Sequence, residues 1–292
     1  MIKIYSLIFI LFSTYQFAFG QQGKGSLFII GGGDRPPSLM KSMLHEARLK
    51  PTDHIAILTM SGAEPDTSYA YMVADLRPLC NNVIAHLHFY KNSSVTREET
   101  ESKYFTISDK AALDSLKTSK LIFITGGVQT RFMNVVLHTP VYDAIHYAYD
   151  HGAMVAGTSA GAAVMSKIMI TGDQIRHDTL YSGSVDRIVQ GNMEIAEGLS
   201  MITSAIIDQH FVVRGRYNRL LTVLNQYPDK VCIGIDEETA ILVRGDQARV
   251  FGNSQVVVLK GPKGIKINNE NKISMQSASI SLYMNGDSFK LK

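Results

Sequence analysis

The chain contains little cysteine, no tryptophan and no long block of like charges. Two cysteines among 292 residues exclude a disulfide framework and cysteine-rich zinc modules, and no HExxH motif is present, so the sequence predicts neither a metal nor another cofactor. A net charge of +3 without a long run of one sign gives no indication of nucleic-acid binding. Cys232 lies in the apolar stretch VCIGI, typical of a small buried side chain, so pairing with Cys80 is not favoured.

The N-terminus has the features of a cleaved secretory signal. Lys3 precedes an apolar segment from Ile4 to Phe12, and small residues at positions 18 and 20 come before Gln21. We therefore expect residues 1–20 to be a signal peptide and the mature protein to be secreted or periplasmic. An uncleaved membrane anchor is the alternative.

Short apolar runs alternate with segments of helical spacing over much of the chain. The runs predict strands near residues 27–30, 54–59, 83–89, 121–125, 153–156 and 204–207. The segments between them predict helices near residues 38–49, 68–79, 109–116, 141–150 and 161–169. This alternation predicts an α/β fold with a mostly parallel sheet flanked by helices.

After residue 233 the pattern changes to short β-like segments separated by glycine, asparagine and aspartate. These segments lie near residues 240–243, 248–251, 255–260 and 280–283. They predict a short antiparallel β tail added to the main sheet. Because the sequence shows neither a linker nor a repeat, residues 21–292 are predicted to form a single domain.

Four corners at predicted strand ends are rich in glycine or polar residues. They are GGGDRP at 31–36, TGGVQTR at 125–131, AGTSAGA at 156–162 and IDQHFVVRGR at 207–216. In open α/β sheets ligands bind where strands end and helices begin, so we expect the four corners to converge on one cleft. GGGDRP has neither dinucleotide-binding nor P-loop spacing and supports no nucleotide site.

The sequence GTSAG places Ser159 in the strand-turn-helix context of a nucleophile elbow. The next amide, of Ala160, is positioned to donate to an oxyanion, and an amide near Gly127 could be the second donor. The alternative for Ser159 is a structural turn, and for Gly127 an ordinary connection between strand and helix.

His210 is the favoured base because it follows an apolar run and opens a polar corner, whereas His177 lies in a polar loop. The spacing along the sequence does not identify which acidic residue orients His210. The candidates are Asp173, Asp178, Asp208 and the cluster Asp236-Glu237-Glu238, of which the strand-end position favours Asp236 or Glu237.

Three arginines closely follow the predicted base in HFVVRGRYNRL. Guanidinium groups bind carboxylates in a bidentate manner, which suggests an acidic or carboxylate-bearing substrate. Arg214, about one helical turn from His210, is the favoured contact, whereas Arg216 and Arg219 are also compatible with a solvated helix face.

Six motifs occur in the order found in the cyanophycinase family of serine peptidases, which the chain resembles; aspartyl dipeptidases are more distant. The motifs are GGGDRP, ILTMSGAEP, TGGVQTR, AGTSAGAAVMS, DQHFVVRGRYNRL and GIDEETA. The resemblance implies a fold akin to class I glutamine amidotransferases, a homodimer and a peptide or polymer substrate with aspartyl and arginyl groups.

The resemblance also implies roles for individual residues. Ser159 would be the nucleophile, His210 the base and Glu237 the orienting acid, with Asp173 as the alternative acid. The implied pocket residues are Gln129, Asp208, Gln209, Arg214 and Arg216. The expected activity is serine-type exopeptidase hydrolysis of cyanophycin to β-aspartyl-arginine dipeptides through an acyl-enzyme.

Three other functions stay open. Other aspartyl or isoaspartyl peptides could be the substrates of a serine dipeptidase or isopeptidase. An esterase of the α/β-hydrolase class needs a late histidine, and none follows His210. A catalytically silent binding protein of the same fold would not need the three intact catalytic candidates.

Overall fold

A computed structural model describes residues 24–91, 104–175 and 187–292. The predicted signal peptide, His177 and Asp178 lie outside these described residues. Within the described ranges, the helices are too short or too polar for any of them to cross a lipid bilayer.

The described residues form 18 strands and seven helices. The strands are β1 (Ser26–Ile30), β2 (His54–Leu58), β3 (Val83–Leu87), β4 (Phe89–Tyr90), β5 (Phe105–Thr106), β6 (Leu121–Ile124), β7 (Met154–Thr158), β8 (Ile168–Gln174), β9 (Met193–Glu197), β10 (Ala205–Gln209), β11 (Val231–Ile235), β12 (Thr239–Arg244), β13 (Gln247–Gly252), β14 (Val256–Lys263), β15 (Lys266–Ile267), β16 (Ile273–Ser274), β17 (Ser277–Tyr283) and β18 (Ser288–Lys290). The helices are α1 (Pro37–Ala47), α2 (Pro65–Leu76), α3 (Lys110–Thr118), α4 (Gln129–Val136), α5 (Pro140–Asp150), α6 (Ala160–Ala163) and α7 (Tyr217–Gln226).

An eight-stranded sheet in the order β18-β13-β12-β1-β7-β6-β2-β3 forms the centre of the molecule. Strands β1, β7, β6, β2 and β3 are parallel, and both faces of β1, β6 and β7 are buried. Apolar residues of α1 and α2 pack on one face, and those of α3 and α5 pack on the other. The prediction of a mostly parallel sheet flanked by helices is therefore confirmed.

The segments after residue 233 divide between two sheets. Strands β12, β13 and β18 extend the main sheet in antiparallel fashion beyond β1. Strands β14 and β17 instead join β10 and β11 in a second, four-stranded sheet. The expectation that all of these segments are added to the main sheet is wrong for β14 and β17.

The helix predicted near residues 161–169 is wrong beyond Ala163. The backbone N–H of Lys167 donates to the carbonyl of Ile202 at 2.8 Å, and that of Leu199 donates to Val164 at 2.6 Å. These long-range hydrogen bonds replace helical ones, and the chain then enters β8, which pairs with β9. Tertiary pairing has overridden a local preference that was strong only for the alanines.

Candidate active site

Ser159 lies on a sharp turn between β7 and α6. Its backbone angles, φ 52° and ψ −110°, are rare for a residue with a side chain. Glycines on either side make the turn sterically feasible, because a Cβ on Gly157 would lie 2.3 Å from the Gly161 oxygen and one on Gly161 would lie 2.3 Å from the Ile124 oxygen. The GTSAG sequence thus forms the strained strand-turn-helix geometry of a nucleophile elbow.

Two hydrogen bonds join Ser159, His210 and Glu237. The distance from Ser159 Oγ to His210 Nε2 is 2.8 Å, and that from His210 Nδ1 to Glu237 Oε1 is 2.5 Å. A carboxylate only accepts hydrogen bonds, so the proton of a neutral imidazole belongs on Nδ1. Nε2 then has a lone pair that accepts the Ser159 hydroxyl proton, which is the arrangement of a serine-histidine-acid triad.

The surroundings of His210 keep its imidazole neutral. Burial lowers its pKa below the ordinary 6.5, the hydrogen bond to Glu237 opposes this effect, and the positive charge of Arg214 adds to the lowering. A base must be unprotonated to accept a proton, so the lowered pKa leaves His210 ready to act near neutral pH.

The other acids favoured by the sequence are placed elsewhere. Asp236 Oδ1 accepts the backbone N–H groups of Val212 and Val213 at 2.9 Å each, and Ser254 donates to its Oδ2 at 2.6 Å. Asp236 thereby holds the turn that follows His210. Asp173 lies exposed on β8. Glu237 is the carboxylate that contacts His210 in the part of the chain that the structure describes.

Two glycines of the GGGDRP corner pack directly on the triad. A Cβ on Gly32 would lie 2.2–2.8 Å from the ring atoms of His210, and one on Gly33 would lie 2.7 Å from the Cβ of Glu237. The Gly31 oxygen also accepts the backbone N–H of His210 at 2.7 Å. These glycines permit a close backbone approach that positions His210 and Glu237.

The turn after β6 runs beside Ser159. A Cβ on Gly126 would lie 3.5 Å from Ser159 Cβ. Gly127 has φ +136° and packs against the Ser61 oxygen, which accepts the N–H of Val128 at 2.9 Å and the guanidinium of Arg131 at 3.0 Å. The ILTMSGAEP segment thereby fixes the turn that carries Gly127.

A buried ion pair lies behind the histidine corner. Asp208 and Arg219 are 1% and 6% exposed, and both carboxylate oxygens of Asp208 accept N–H groups of Arg219. Arg216 donates to the oxygen of Gln209 at 2.6 Å and to its side chain at 2.9 Å. Burial lowers the pKa of Arg216 to about 10, which leaves it charged at neutral pH.

The predicted pocket residues differ in their accessibility. Gln129 is buried and its amide donates to the carbonyl oxygens of Ile170 and Thr171 in β8. Asp208 and Gln209 are also buried and bind arginines of their own chain. The Arg214 side chain is 52% exposed, with Nη2 3.8 Å from Glu237 Oε1, and is the predicted pocket residue most open to a ligand.

Sequence reasoning missed the positions of Gly32, Gly33 and Arg219. Three consecutive glycines at a strand end indicate that another part of the chain packs closely against the backbone there. The sequence does not identify which side chain that is. Arg216 immediately precedes α7 and Arg219 lies three residues later in its first turn, so both arginines face Asp208, and a solvated helix face is wrong for Arg219.

Known proteins resemble this chain in sequence and fold. It is 37% identical over 147 residues to the cyanophycinase of Trichormus variabilis, covering 50% of this chain and 46% of that protein. It is 32% identical over 170 residues to the cyanophycinase of Geminocystis herdmanii, covering 58% and 59% respectively. The matches thus span about half the length of these curated relatives.

A solved structure and a family model extend the comparison. The crystal structure of a peptidase from an acI-B1 Actinobacterium superimposes with a TM-score of 0.65 at 21% identity, over 92% of this chain and 98% of that one, a likeness of fold. The model of peptidase family S51 matches residues 99–251, a segment that contains Ser159, His210 and Glu237. Because this match spans just over half of the sequence, the chain belongs to peptidase family S51.

Proposed function

We propose that the protein is a serine-type peptidase that hydrolyses aspartyl amide bonds, with cyanophycin as the favoured substrate. The observation that carries the proposal is the hydrogen-bonded series Ser159, His210 and Glu237 on an elbow within a family S51 chain. The triad gives the reaction type, and the cyanophycinase relatives suggest the substrate.

Acylation begins with the Ser159 hydroxyl. Oγ attacks the scissile carbonyl carbon while Nε2 of His210 takes the hydroxyl proton, and Glu237 stabilises the imidazolium that forms. His210 then returns the proton to the leaving amine as the C–N bond breaks. The acyl group stays on Ser159 as an ester.

The oxyanion and the second half-reaction use the same groups. The amides of Ala160 and Gly127 are the proposed donors to the tetrahedral oxyanion, because Ala160 directly follows Ser159 and Gly127 follows Gly126, whose added Cβ would lie 3.5 Å from Ser159 Cβ. Water then attacks the ester with His210 as base, which frees the acid product and Ser159. Every proton transfer runs through His210.

The arginine cluster consists of Arg214, Arg216 and Arg219, and substrate recognition is proposed for Arg214 and Arg216, because Arg219 is buried against Asp208. The exposed Arg214 would bind a carboxylate of the substrate. Gln129, Asp208, Gln209 and Arg216 would shape the pocket wall and fix the charge distribution, since their polar atoms bind one another or β8. Release of β-aspartyl-arginine dipeptides would make the enzyme an exopeptidase, whereas other aspartyl or isoaspartyl peptides are the alternative substrates.

Three wider properties belong to the same proposal. The N-terminal sequence supports export to a secreted or periplasmic location after cleavage near Gln21. The family resemblance supports a homodimer and a fold of the class I glutamine amidotransferase type.

Comparison of wild type with Ser159→Ala tests the proposal. Both proteins would be incubated with cyanophycin and with β-aspartyl dipeptides, and the products followed by mass. We expect dipeptide release by wild type and a loss of at least about 10⁴-fold in the variant, on the scale of other triad serines. Equal rates would overturn the mechanism, and inertness of wild type on all of these substrates would overturn the specificity.

Labelling addresses the catalytically silent alternative. A serine-directed fluorophosphonate should modify wild type at Ser159 and leave Ser159→Ala unmodified. Labelling without turnover would show an active centre with a different substrate, and absence of labelling would favour a binding protein.

A further inference from the structure

A cavity of about 190 Å³ lies beside the nucleophile, apart from the arginine cluster. Its wall includes Arg35, Ser68, Tyr71, Phe123, Gly126 and Thr158. These residues come from the turn after β1, from α2 and from the ends of β6 and β7. We call this space the Arg35 cavity.

The Arg35 cavity opens next to Ser159. Thr158 immediately precedes the nucleophile, and a Cβ on Gly126 would lie 3.5 Å from Ser159 Cβ. Gly126 lacks a positive φ, and an added Cβ would make only ordinary contacts, so the backbone does not require glycine there. The missing side chain instead leaves space between the Arg35 cavity and Ser159 Cβ.

The chemistry of the wall selects an anionic group. Arg35 is the charged residue among the described residues that line the cavity. Its Nε donates to Asp75 Oδ2 at 2.6 Å, which fixes the guanidinium, and its side chain is 22% exposed. The Ser68 hydroxyl and the mostly exposed Tyr71 add polar groups, while Phe123 supplies an apolar surface. A carboxylate on a short apolar stem matches these features.

Thr158 adds a second observation. Its Oγ1 is buried and has no hydrogen-bond partner, although the residue lines the cavity. A buried hydroxyl without a partner is energetically unfavourable, so Thr158 would gain a hydrogen bond from a ligand acceptor that reached its Oγ1.

We propose that the Arg35 cavity is a second substrate subsite, which binds the carboxylate of the residue on the leaving side of the scissile bond. This inference rests on the proposed function, in which Arg214 holds the aspartyl unit whose carbonyl is attacked. The Arg35 cavity, reached past Gly126, then receives the unit across the bond. Arg35 would bind the carboxylate with the guanidinium N–H groups that Asp75 does not use.

Paired substrates test the subsite. Each substrate consists of two β-aspartyl-arginine units. The terminal backbone carboxyl of the leaving unit is either a free carboxylate or a carboxamide. Wild type should cleave the free acid with a kcat/KM about tenfold or more above that of the carboxamide, as for a hydrogen bond to a charged group. Arg35→Gln should bring this ratio close to one, and Arg35→Lys should restore part of it.

Asp75→Asn is the matched control, because it breaks the same ion pair while keeping Arg35. It should preserve the preference for the free acid. A preference that survives Arg35→Gln, or that is lost equally in Asp75→Asn, would overturn the subsite.

Binding measurements distinguish a failure of the Arg35 subsite from a failure of the proposed function. If wild type cleaves neither substrate, the proposed function fails, and calorimetry then compares Ser159→Ala with Ser159→Ala/Arg35→Gln. The first protein should bind the free-acid β-aspartyl-arginine dipeptide about tenfold more tightly than its carboxamide, and the second should not distinguish them. Equal affinities of the first protein for both dipeptides would reject the Arg35 subsite, whatever the activity.

Discussion

Ser159 is held in a conformation that costs on the order of 1–3 kcal/mol for a residue with a side chain. Its N–H donates to the Ile30 oxygen at 3.1 Å, and its own oxygen accepts the N–H groups of Ala162 and Ala163. These bonds tie the elbow to β1 and to the first turn of α6. The strain therefore directs Oγ towards His210 before any substrate binds.

The pH dependence of the reaction should report the neutral state of His210. Its pKa is below 6.5, so kcat/KM should rise with pH through a midpoint below 6.5 and then level off. Arg214 contributes to the lowering, so Arg214→Gln should raise that pKa and move the midpoint to higher pH, besides weakening substrate binding. Profiles of kcat/KM against pH for both proteins measure the change, and a shift towards lower pH would contradict this account.

Gly32 should tolerate no side chain. In Gly32→Ala the new Cβ would overlap the imidazole of His210, so we expect kcat/KM to fall by about 10²-fold, the scale of a misplacement near 1 Å. Gly245→Ala is the control, because Gly245 also has a positive φ, +61°, but open space around it. Both variants should lose stability in thermal unfolding, whereas only Gly32→Ala should lose activity. Similar rates for the two variants would show that the close approach to His210 has no role.

The pattern of strand ends predicts Ser159 and His210 as nucleophile and base, whereas it leaves Asp236 and Glu237 open, and the family resemblance alone singles out Glu237. Ser159 and His210 each follow a buried strand, and that pattern is local. Asp236 and Glu237 are adjacent at one strand end, and their roles are set by what packs against them. Asp236 faces the turn at Val212, and Glu237 faces His210. Spacing along the chain carries no such information.

At the scale of elements, the parallel strands were the most predictable part of the fold. Strands buried on both faces give short continuous apolar runs, as in β1, β2 and β6. The β8–β9 hairpin was missed because its pairing partner lies beyond a long connection, and α6 was overestimated because its alanines favour a helix that tertiary hydrogen bonds end. A local sequence pattern does not predict the pairing of segments that are distant along the chain.

Helix α7 should depend on its ion pair with β10. Arg219→Ala would remove the bidentate partner of the buried Asp208 carboxylate and leave Arg216, 3.7 Å from Oδ1, as its nearest cation, at a cost of about 3 kcal/mol in the free energy of unfolding. Lys272→Ala removes an ion pair to Glu270 in which both side chains are 68% exposed, and should cost less than about 1 kcal/mol. Urea unfolding of the two variants measures the difference. Equal losses would mean that the buried pair does not anchor α7.

At the scale of the whole molecule, the site exists only where the two sheets meet. Ser159 follows β7 of the main sheet, whereas His210 and Glu237 follow β10 and β11 of the second sheet. The turn after β1 joins them, because the oxygens of Gly31 and Gly32 accept the N–H groups of His210 and Glu238 at 2.7 and 3.0 Å. The triad can therefore form only when the two sheets are packed against each other.

The two cysteines provide a test of the whole fold. Cys232 is fully buried in β11, and burial raises its pKa, while Cys80 is half-buried and packs against the cluster formed with α1 and α2. Both are free thiols in the structure, although export would expose the chain to an oxidising compartment during folding.

Thiolates are the reactive form, so the native protein should show one thiol that reacts with a disulfide reagent and the denatured protein two. Cys80→Ser should show none when native and one when denatured. Wild type that shows no thiol after denaturation without reductant would mean that the cysteines pair, which this packing of two separate clusters does not allow.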